Sequence, residues 1–313
     1  MIWIVGAGGI AIEYAKVLQA LGRDFIVIGR GAQSAARFEA STGIKPITGG
    51  LEAYILTKPA IPSYAINCVR VNDLKITNEI LLDYGITKVL SEKPGVFAPE
   101  EVFPLVEKVK EKKANLFVAY NRRFYSSVIA AEKIIRDDGG LLSCNFEFTE
   151  WAHVFEKMSV PRSDLKYLFL GNSTHVVDLV FFLIGNPQQM SSYSNGTTGW
   201  HTPANFSGAG VSNNNILFSY NANWNAPGRW AVELLTEKHR IYLKPMEQLQ
   251  LQDKGSVKVY PVEIDDHLDK EFKPGFYLQT KAFLEGDNLR LCTIEQQAEH
   301  ISHIYKVILG EVK

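Results

Sequence analysis

The stretch that decides the fold is IWIVGAGGIAIEYAKVLQALG, residues 2–22. It begins with four apolar residues, Ile2–Val5, which predict a short buried strand. The residues from Gly6 to Ala11 fit the pattern G-x-G-x-x-A. Apolar residues then recur at helical spacing until Gly22, which stands where a helix C-cap is expected. A strand, a glycine-rich turn and a helix in this order predict the first βα unit of a parallel sheet.

The following residues continue this alternation of short apolar runs and amphipathic segments, which is typical of a parallel sheet covered by helices. The further strands and helices predicted in this region are Phe25–Ile28, a helix through Ala35–Ala40, Tyr64–Val69, a helix over Leu74–Tyr84, Thr87–Leu90, a helix over Glu100–Lys112, and Leu116–Ala119. Residues 1–121 are therefore expected to form a doubly wound dinucleotide-binding domain of Rossmann type.

After residue 121 the pattern changes to strands in a run, with helices gathered separately. The predicted elements are a helix over Ser127–Arg136, a strand through Asn145–Phe148, several antiparallel strands within residues 189–262, and helices over Phe276–Leu284 and Ile294–Leu309. Residues 122–313 are therefore expected to form an α+β domain on one open, mostly antiparallel sheet. The whole chain is of the α/β class.

The composition excludes several classes of function. Lys and Arg number 33 against 34 Asp and Glu, a formal charge of -1, which argues against nucleic-acid binding. The segment Val176–Ile184 is too short for a membrane span, and a targeting signal is not expected because Met1–Val5 runs straight into glycines. Cys68, Cys144 and Cys292 form no C-x-x-C pair and are expected to be reduced thiols of a cytoplasmic protein. No metal site is predicted.

The small residues of the glycine-rich turn are those that dinucleotide binding requires. Gly6 permits the tight turn, Gly8 lets the backbone approach a pyrophosphate, and Ala11 lets helix and strand pack closely. The phosphates are expected at the helix N-terminus, beside Gly9 and Ile10.

The second predicted strand decides which dinucleotide is expected. It ends Ile28-Gly29-Arg30, without the carboxylate that usually bonds the 2′-hydroxyl of NAD. Arg30 can pair with a 2′-phosphate instead, with Ser34 as a weaker contact, so NADP(H) is favoured and NAD(H) is possible. The alternative is that Arg30 is an ordinary exposed arginine.

Glu92-Lys93-Pro94 follows a predicted strand and so falls at the carboxyl edge of the sheet, where ligands bind in such folds. A lysine beside the nicotinamide can exchange a proton with the substrate hydroxyl. A solvated loop lysine is the alternative.

Five segments together resemble the Gfo/Idh/MocA oxidoreductases in order and spacing. They are Gly6–Ala11, Asn72, Glu92-Lys93-Pro94, Asn121-Arg122-Arg123-Phe124 and His175-Val176-Val177-Asp178. The resemblance implies NAD(P)-linked chemistry on sugars or related polyols, with Lys93 and His175 at the catalytic positions. The expected cofactor contacts are the glycine-rich turn, Gly29, Arg30, Ser34, Asn72, Glu92 and Lys93. The expected substrate contacts are Arg122, Asn172 and His175.

The chain departs from this pattern at two positions. Relatives commonly carry an aspartate four residues before the histidine, where this chain has Gly171, and Lys75 stands near where many relatives have a histidine. Asp178 shares a helix face with His175 and is expected to be structural. The segment Asn223–Trp230 is either a sugar-contacting loop or a hairpin with buried tryptophans.

These observations predict an NADP(H)-dependent oxidoreductase that interconverts an alcohol and a ketone on a sugar or nucleotide-sugar, in carbohydrate or surface-polysaccharide metabolism. The first alternative is a non-catalytic dinucleotide sensor, which the glycine at position 171 favours. The second is a relative that uses bound NAD for glycoside cleavage. A homodimer or homotetramer through the second sheet is expected.

Overall fold

The computed structural model describes residues 1–158 and 161–311. Its helices are α1 Gly9–Ala20, α2 Ala32–Thr42, α3 Leu51–Leu56, α4 Leu74–Asp83, α5 Val102–Glu111, α6 Ser126–Asp137, α7 Ala152–Phe155, α8 Arg162–Leu165, α9 Thr174–Ile184, α10 His267–Glu271, α11 Phe276–Glu285, α12 Ile294–His300 and α13 Lys306–Leu309. Its strands are β1 Ile2–Val5, β2 Phe25–Ile28, β3 Tyr64–Asn67, β4 Lys88–Ser91, β5 Asn115–Val118, β6 Ser143–Glu147, β7 Pro187–Asn195, β8 Asn205–Ser212, β9 Leu217–Asn223, β10 Ala231–Leu235, β11 His239–Leu243, β12 Gln250–Asp253, β13 Val259–Pro261 and β14 Cys292–Thr293.

The chain divides into two compact units. The first comprises Met1–Asn121 and Leu268–Ala298, and the second comprises Arg122–His267 and Glu299–Lys313. The sequence suggested two continuous segments instead. The return of a late segment to the first unit has a physical cause: β14 pairs antiparallel with β5, and α11 packs on α1.

The first unit is built on a six-stranded sheet in the order β14-β5-β4-β3-β1-β2. Strands β1 to β5 are parallel, and their apolar residues are almost all buried because helices cover the sheet. Ile47 forms a single parallel bridge to Ile28, at the place of a further edge strand. The order reverses at β1, so a crevice for a ligand is expected between the carboxyl ends of β1 and β3.

The second unit is built on an eight-stranded sheet in the order β13-β12-β11-β10-β6-β9-β8-β7. Neighbouring strands are antiparallel except for β6 and β9. Helix α9 is buried along almost its whole length and packs on β6 and β10. The expected fold class, a Rossmann domain with an α+β domain on an open, mostly antiparallel sheet, is confirmed. Among the described residues, no helix is long and apolar enough to cross a membrane.

Candidate active site

The glycine-rich turn joins β1 to α1, and its glycines serve different purposes. Gly6 has a φ of +114°, and a Cβ there would lie 2.6 Å from the carbonyl oxygen of Cys68, so the fold itself requires glycine. Gly8 has an ordinary φ of -88°. A Cβ at Gly8 or at Gly9 would meet no atom within 4 Å. Packing within the chain therefore does not require these two glycines, and they leave open space before the N-terminus of α1.

This space fits the pyrophosphate of a dinucleotide. The first N–H groups of a helix have no intrahelical acceptor and attract anions, and those of Gly9, Ile10 and Ala11 open α1. Ala11 is fully buried, so the helix lies close to the sheet at this end. Gly29 is also close-packed, since a Cβ there would lie 2.9 Å from the Cβ of Ala7.

Arg30 follows the end of β2, and its side chain lies near a carboxylate from another segment. Arg30 has a side chain that is 70% exposed, and its Nη1 lies 3.4 Å from the Oδ2 of Asp73. Asp73 belongs to a short 3-10 helix, Val71–Asp73, that follows β3 and includes Asn72. Ser34 donates its hydroxyl to the carbonyl of Gly31 at 2.9 Å. A carboxylate therefore does lie near the end of β2, but it comes from the short helix that follows β3, and β1 separates β3 from β2 in the sheet.

Lys93 lies in the loop after β4, and buried hydrogen bonds hold the backbone around it. The Glu92 N–H donates to the carbonyl of Asn67 at 2.7 Å, and the Gln297 side chain donates to the carbonyl of Pro94 at 3.1 Å. The Asn78 side chain donates to the carbonyl of Gly95 at 3.2 Å. Lys93 therefore has a fixed position at the carboxyl edge of the first sheet.

The Glu92 side chain is held by Tyr14 of α1, which is not among the site residues predicted from the sequence. The Tyr14 hydroxyl donates to Oε1 of Glu92 at 2.8 Å, and the Gln279 side chain donates to that hydroxyl at 3.3 Å. Burial raises the pKa of Glu92, against the hydrogen bond from Tyr14 and the charges of Lys93 and Lys273. Burial and the Glu92 carboxylate raise the pKa of Tyr14 well above its usual value, so Tyr14 remains a donor.

Lys75, at the position where many relatives have a histidine, lies in α4. Its ammonium group pairs with Oε1 of Glu79 one helical turn along, at 2.8 Å. This is the i, i+4 ion pair of a helix face.

In the second unit, His175 lies in the first turn of α9 and is 5% exposed. Its ring centroid is 5.9 Å from that of Trp230, which directly precedes β10. A π-helical turn, Phe169–Ser173, leads into α9. Such turns are rare and frequently occur at functional sites.

The buried carboxylate of Glu150 lies beside this turn. Oε1 of Glu150 accepts the Ser173 hydroxyl at 2.8 Å, and Oε2 accepts the Asn172 side chain at 2.9 Å. Nη1 of Arg229 lies 3.4 Å from Oε2. Burial raises the pKa of Glu150 to about 7, against the lowering effects of Ser173, Arg229 and Asn172. A carboxylate therefore lies beside the turn that contains Gly171, but it comes from the segment after β6. Glu150 is not among the site residues predicted from the sequence.

The pairing of β6 with β10 explains why Glu150 meets Arg229. The two strands are antiparallel, with Ala231 opposite Glu147, so the residues that follow β6 meet those that precede β10. The only local signal was a carboxylate placed shortly after a predicted strand.

Asp178 has a structural partner. The Arg123 guanidinium donates from Nε to Oδ2 at 2.8 Å and from Nη2 to Oδ1 at 2.6 Å. Their side chains are 4% and 0% exposed. His300 lies nearby, with Nδ1 at 3.6 Å from Oδ1, and burial lowers the pKa of His300 to about 4. This bidentate pair agrees with the structural role expected for Asp178.

Both tryptophans of the segment Asn223–Trp230 are buried, but they have different neighbours. Trp224 is buried in an aromatic cluster, with its ring centroid 4.5 Å from that of His201 and 5.4 Å from that of Phe206. Trp230 instead lies beside His175, Arg122 and Arg229. The structure therefore brings the expected substrate residues Arg122, Asn172 and His175 together in the second unit, around Glu150 and Trp230.

At the level of sequence, no family model and no curated protein matches this chain. Solved structures do. A UDP-N-acetylglucosamine 3-dehydrogenase from Acidithiobacillus ferrooxidans matches with a TM-score of 0.72 at 13% identity, over 99% of this chain and 96% of its own. Levoglucosan dehydrogenase in complex with NADH matches with a TM-score of 0.77 at 14% identity, over 99% and 95%.

The WlbA dehydrogenase from Bordetella pertussis, in complex with NADH and UDP-GlcNAcA, matches with a TM-score of 0.71 at 16% identity, over 99% and 97%. At these identities the similarity concerns the fold. The chain has the fold of these dehydrogenases, which is the fold implied by the resemblance to Gfo/Idh/MocA oxidoreductases.

Proposed function

We propose that this protein is an NADP(H)-dependent oxidoreductase that interconverts an alcohol and a ketone on a sugar or nucleotide-sugar. The observation that carries the proposal is the open space at Gly8 and Gly9, before the N-terminus of α1 and at the switch point of a Rossmann sheet. Lys93, held at the same edge of that sheet, supports catalysis rather than cofactor binding alone.

The nicotinamide, when bound, exchanges a hydride with the substrate carbon. The chain's own residues supply placement and proton transfer. Lys93 gives a proton to the carbonyl oxygen when the ketone is reduced, and it takes the hydroxyl proton when the alcohol is oxidised. Glu92 and Tyr14 support the Lys93 loop through their buried hydrogen bond. In the second unit, His175 orients the substrate hydroxyl, and Arg122 and Asn172 contact the substrate.

The choice of dinucleotide depends on Arg30 and Asp73. Arg30 supports NADP(H), because a guanidinium binds a 2′-phosphate with charge-assisted hydrogen bonds. Asp73 favours NAD(H) as the second candidate, because a carboxylate at this edge can accept the 2′-hydroxyl and repels a phosphate. The NADH in two of the similar structures also supports this second candidate.

We expect wild-type protein to bind NADPH roughly ten- to a hundredfold more tightly than NADH, since a charge-assisted contact contributes ~1.5–3 kcal/mol. Arg30→Ala should lose this preference. Asp73→Asn should raise the affinity for NADPH, because it removes a like charge. Nicotinamide fluorescence titrations of the three proteins measure both affinities. Equal affinity of the wild type for NADPH and NADH would contradict the NADP(H) preference, and tighter binding of NADH would assign the protein to NAD(H).

The activity is tested by following nicotinamide absorbance with NADP(H) and candidate sugars or nucleotide-sugars. Turnover supports the oxidoreductase. Tight dinucleotide binding without turnover of any candidate would favour the sensor, which Gly171 suggests. Cleavage of a glycoside without net change in the nicotinamide would favour the second alternative, a relative that uses bound NAD for glycoside cleavage.

We also propose a homodimer or homotetramer formed through the second sheet. Tyr193 on β7 and Leu217 on β9 are 74% and 62% exposed, although both are large and apolar. Covering such side chains with a second copy removes apolar surface from water.

A further inference from the structure

Two arginines of the second unit lie over one tryptophan. The guanidinium carbon of Arg122 is 4.6 Å from the centroid of the Trp230 ring, and that of Arg229 is 4.4 Å from it. Arg229 also lies 4.7 Å from the ring of Trp151, and Arg122 lies 5.7 Å from the ring of Tyr125. Stacking of this kind fixes the plane of a guanidinium and leaves its N–H groups directed outward from the ring face.

The two guanidinium groups are close enough to affect each other. Burial lowers the pKa of Arg122, and the positive charge of Arg229 lowers it further, against the opposing charges of Glu247 and Glu150. Like charges in such proximity cost free energy unless a negative charge offsets them.

Two carboxylates that act on these arginines, those of Glu150 and Glu247, offset only part of the positive charge. The one hydrogen bond of Arg229 to another described residue is its 3.4 Å contact with Glu150, longer than the 2.7–2.9 Å typical of a charge-assisted bond. Because the pKa of Glu150 is about 7, this carboxyl is only partly ionised near neutral pH. Glu247, which also acts on Arg122, is exposed, so water screens its charge.

The cluster of Arg122, Arg229 and Trp230 lies beside a residue that is expected to contact the substrate. Trp230 lies beside His175 as well as beside both arginines. Arg229 has a side chain that is 42% exposed, so a ligand can reach it. We propose that Arg122 and Arg229 form a subsite, beside His175, for an anionic group of the sugar substrate, either a ring carboxylate or the diphosphate of a nucleotide-sugar. This assignment rests on the proposed function and narrows its substrate class.

Binding, measured calorimetrically with and without NADPH, tests the subsite. D-Glucuronate and D-glucose form a matched pair that differs in one carboxylate, and UDP-glucose provides the diphosphate. We expect wild-type protein to bind one of the two anions at least about tenfold more tightly than glucose, and Arg229→Gln to remove that preference. Preference for glucuronate assigns the ring carboxylate, and preference for UDP-glucose alone assigns the diphosphate.

Arg240→Gln is the matched control. Arg240 is also 42% exposed and lies over an aromatic ring, that of Tyr242, but it pairs with Glu233 away from this cluster. It should keep the preference of the wild type. Equal binding of all three ligands, or a preference that survives Arg229→Gln, would overturn the subsite. Nicotinamide fluorescence of the same samples is read separately, so a failure of the proposed function shows as absent NADPH binding whatever the sugar titrations give.

Discussion

Lys93→Met is expected to lower turnover by about 10²–10⁴-fold, the range typical of removing a general acid or base. Methionine has a similar length and no ionisable proton, so it removes proton transfer and little else. The affinity for NADPH should stay within a few-fold, because the glycine-rich turn of α1 remains intact. Steady-state rates and fluorescence titrations on the same preparations measure the two quantities.

Lys108→Met is the control for this substitution. Lys108 lies on α5 in the same unit and pairs with Asp83, which keeps Lys112 as a second partner. Turnover should remain near that of the wild type. Lys93 would be excluded from the reaction if Lys93→Met turned over as fast as Lys108→Met. A loss of NADPH binding in Lys93→Met without a separate loss of turnover would make it a nicotinamide contact.

Asp178→Asn is expected to lower the free energy of unfolding by about 3–5 kcal/mol, because the buried guanidinium of Arg123 would lose the charged carboxylate that it contacts through two hydrogen bonds. The pair is bidentate and almost fully buried, so water cannot replace the lost carboxylate. Urea unfolding curves of wild type and variant measure the difference. The double variant Arg123→Met/Asp178→Leu should recover part of the loss, because it removes both charges.

The exposed pair of Lys110 with Glu107 on α5 provides the comparison. Glu107→Gln should leave the free energy of unfolding nearly unchanged, because solvent screens both charges. An Asp178→Asn loss as small as this would show that Arg123 finds another partner.

The fold was largely predictable because the first unit is decided by local patterns. Runs of apolar residues mark β1 and β2 with the bounds that the structure has, and Gly22 ends the first helical segment as expected. Helix α3, Leu51–Leu56, was not predicted, since six residues carry too little helical periodicity. The antiparallel β14 was also missed, because two residues form a strand only through their pairing with β5.

The site was predictable where its residues lie in short motifs and not where distant segments meet. Gly8 and Lys93 stand in recognisable contexts. Glu150 and Arg229 are 79 residues apart and come together only through the register of β6 with β10. Pairing register between distant strands depends on the whole sheet, so no local pattern shows which carboxylate faces which arginine.

The proposed function requires that a nicotinamide dinucleotide bind at the N-terminus of α1. The direct test is the affinity of Gly8→Val for NADPH, measured by fluorescence beside its melting temperature. Because a Cβ at Gly8 would meet no atom within 4 Å beyond its chain neighbours, and its φ of -88° suits any residue, the melting temperature should stay near that of the wild type. The same side chain would occupy the space of the pyrophosphate, so affinity should fall by about 100-fold or more, near 3 kcal/mol. Ala40→Val, on the exposed face of α2, should change neither quantity. Unchanged NADPH affinity in a folded Gly8→Val protein would contradict the proposed site.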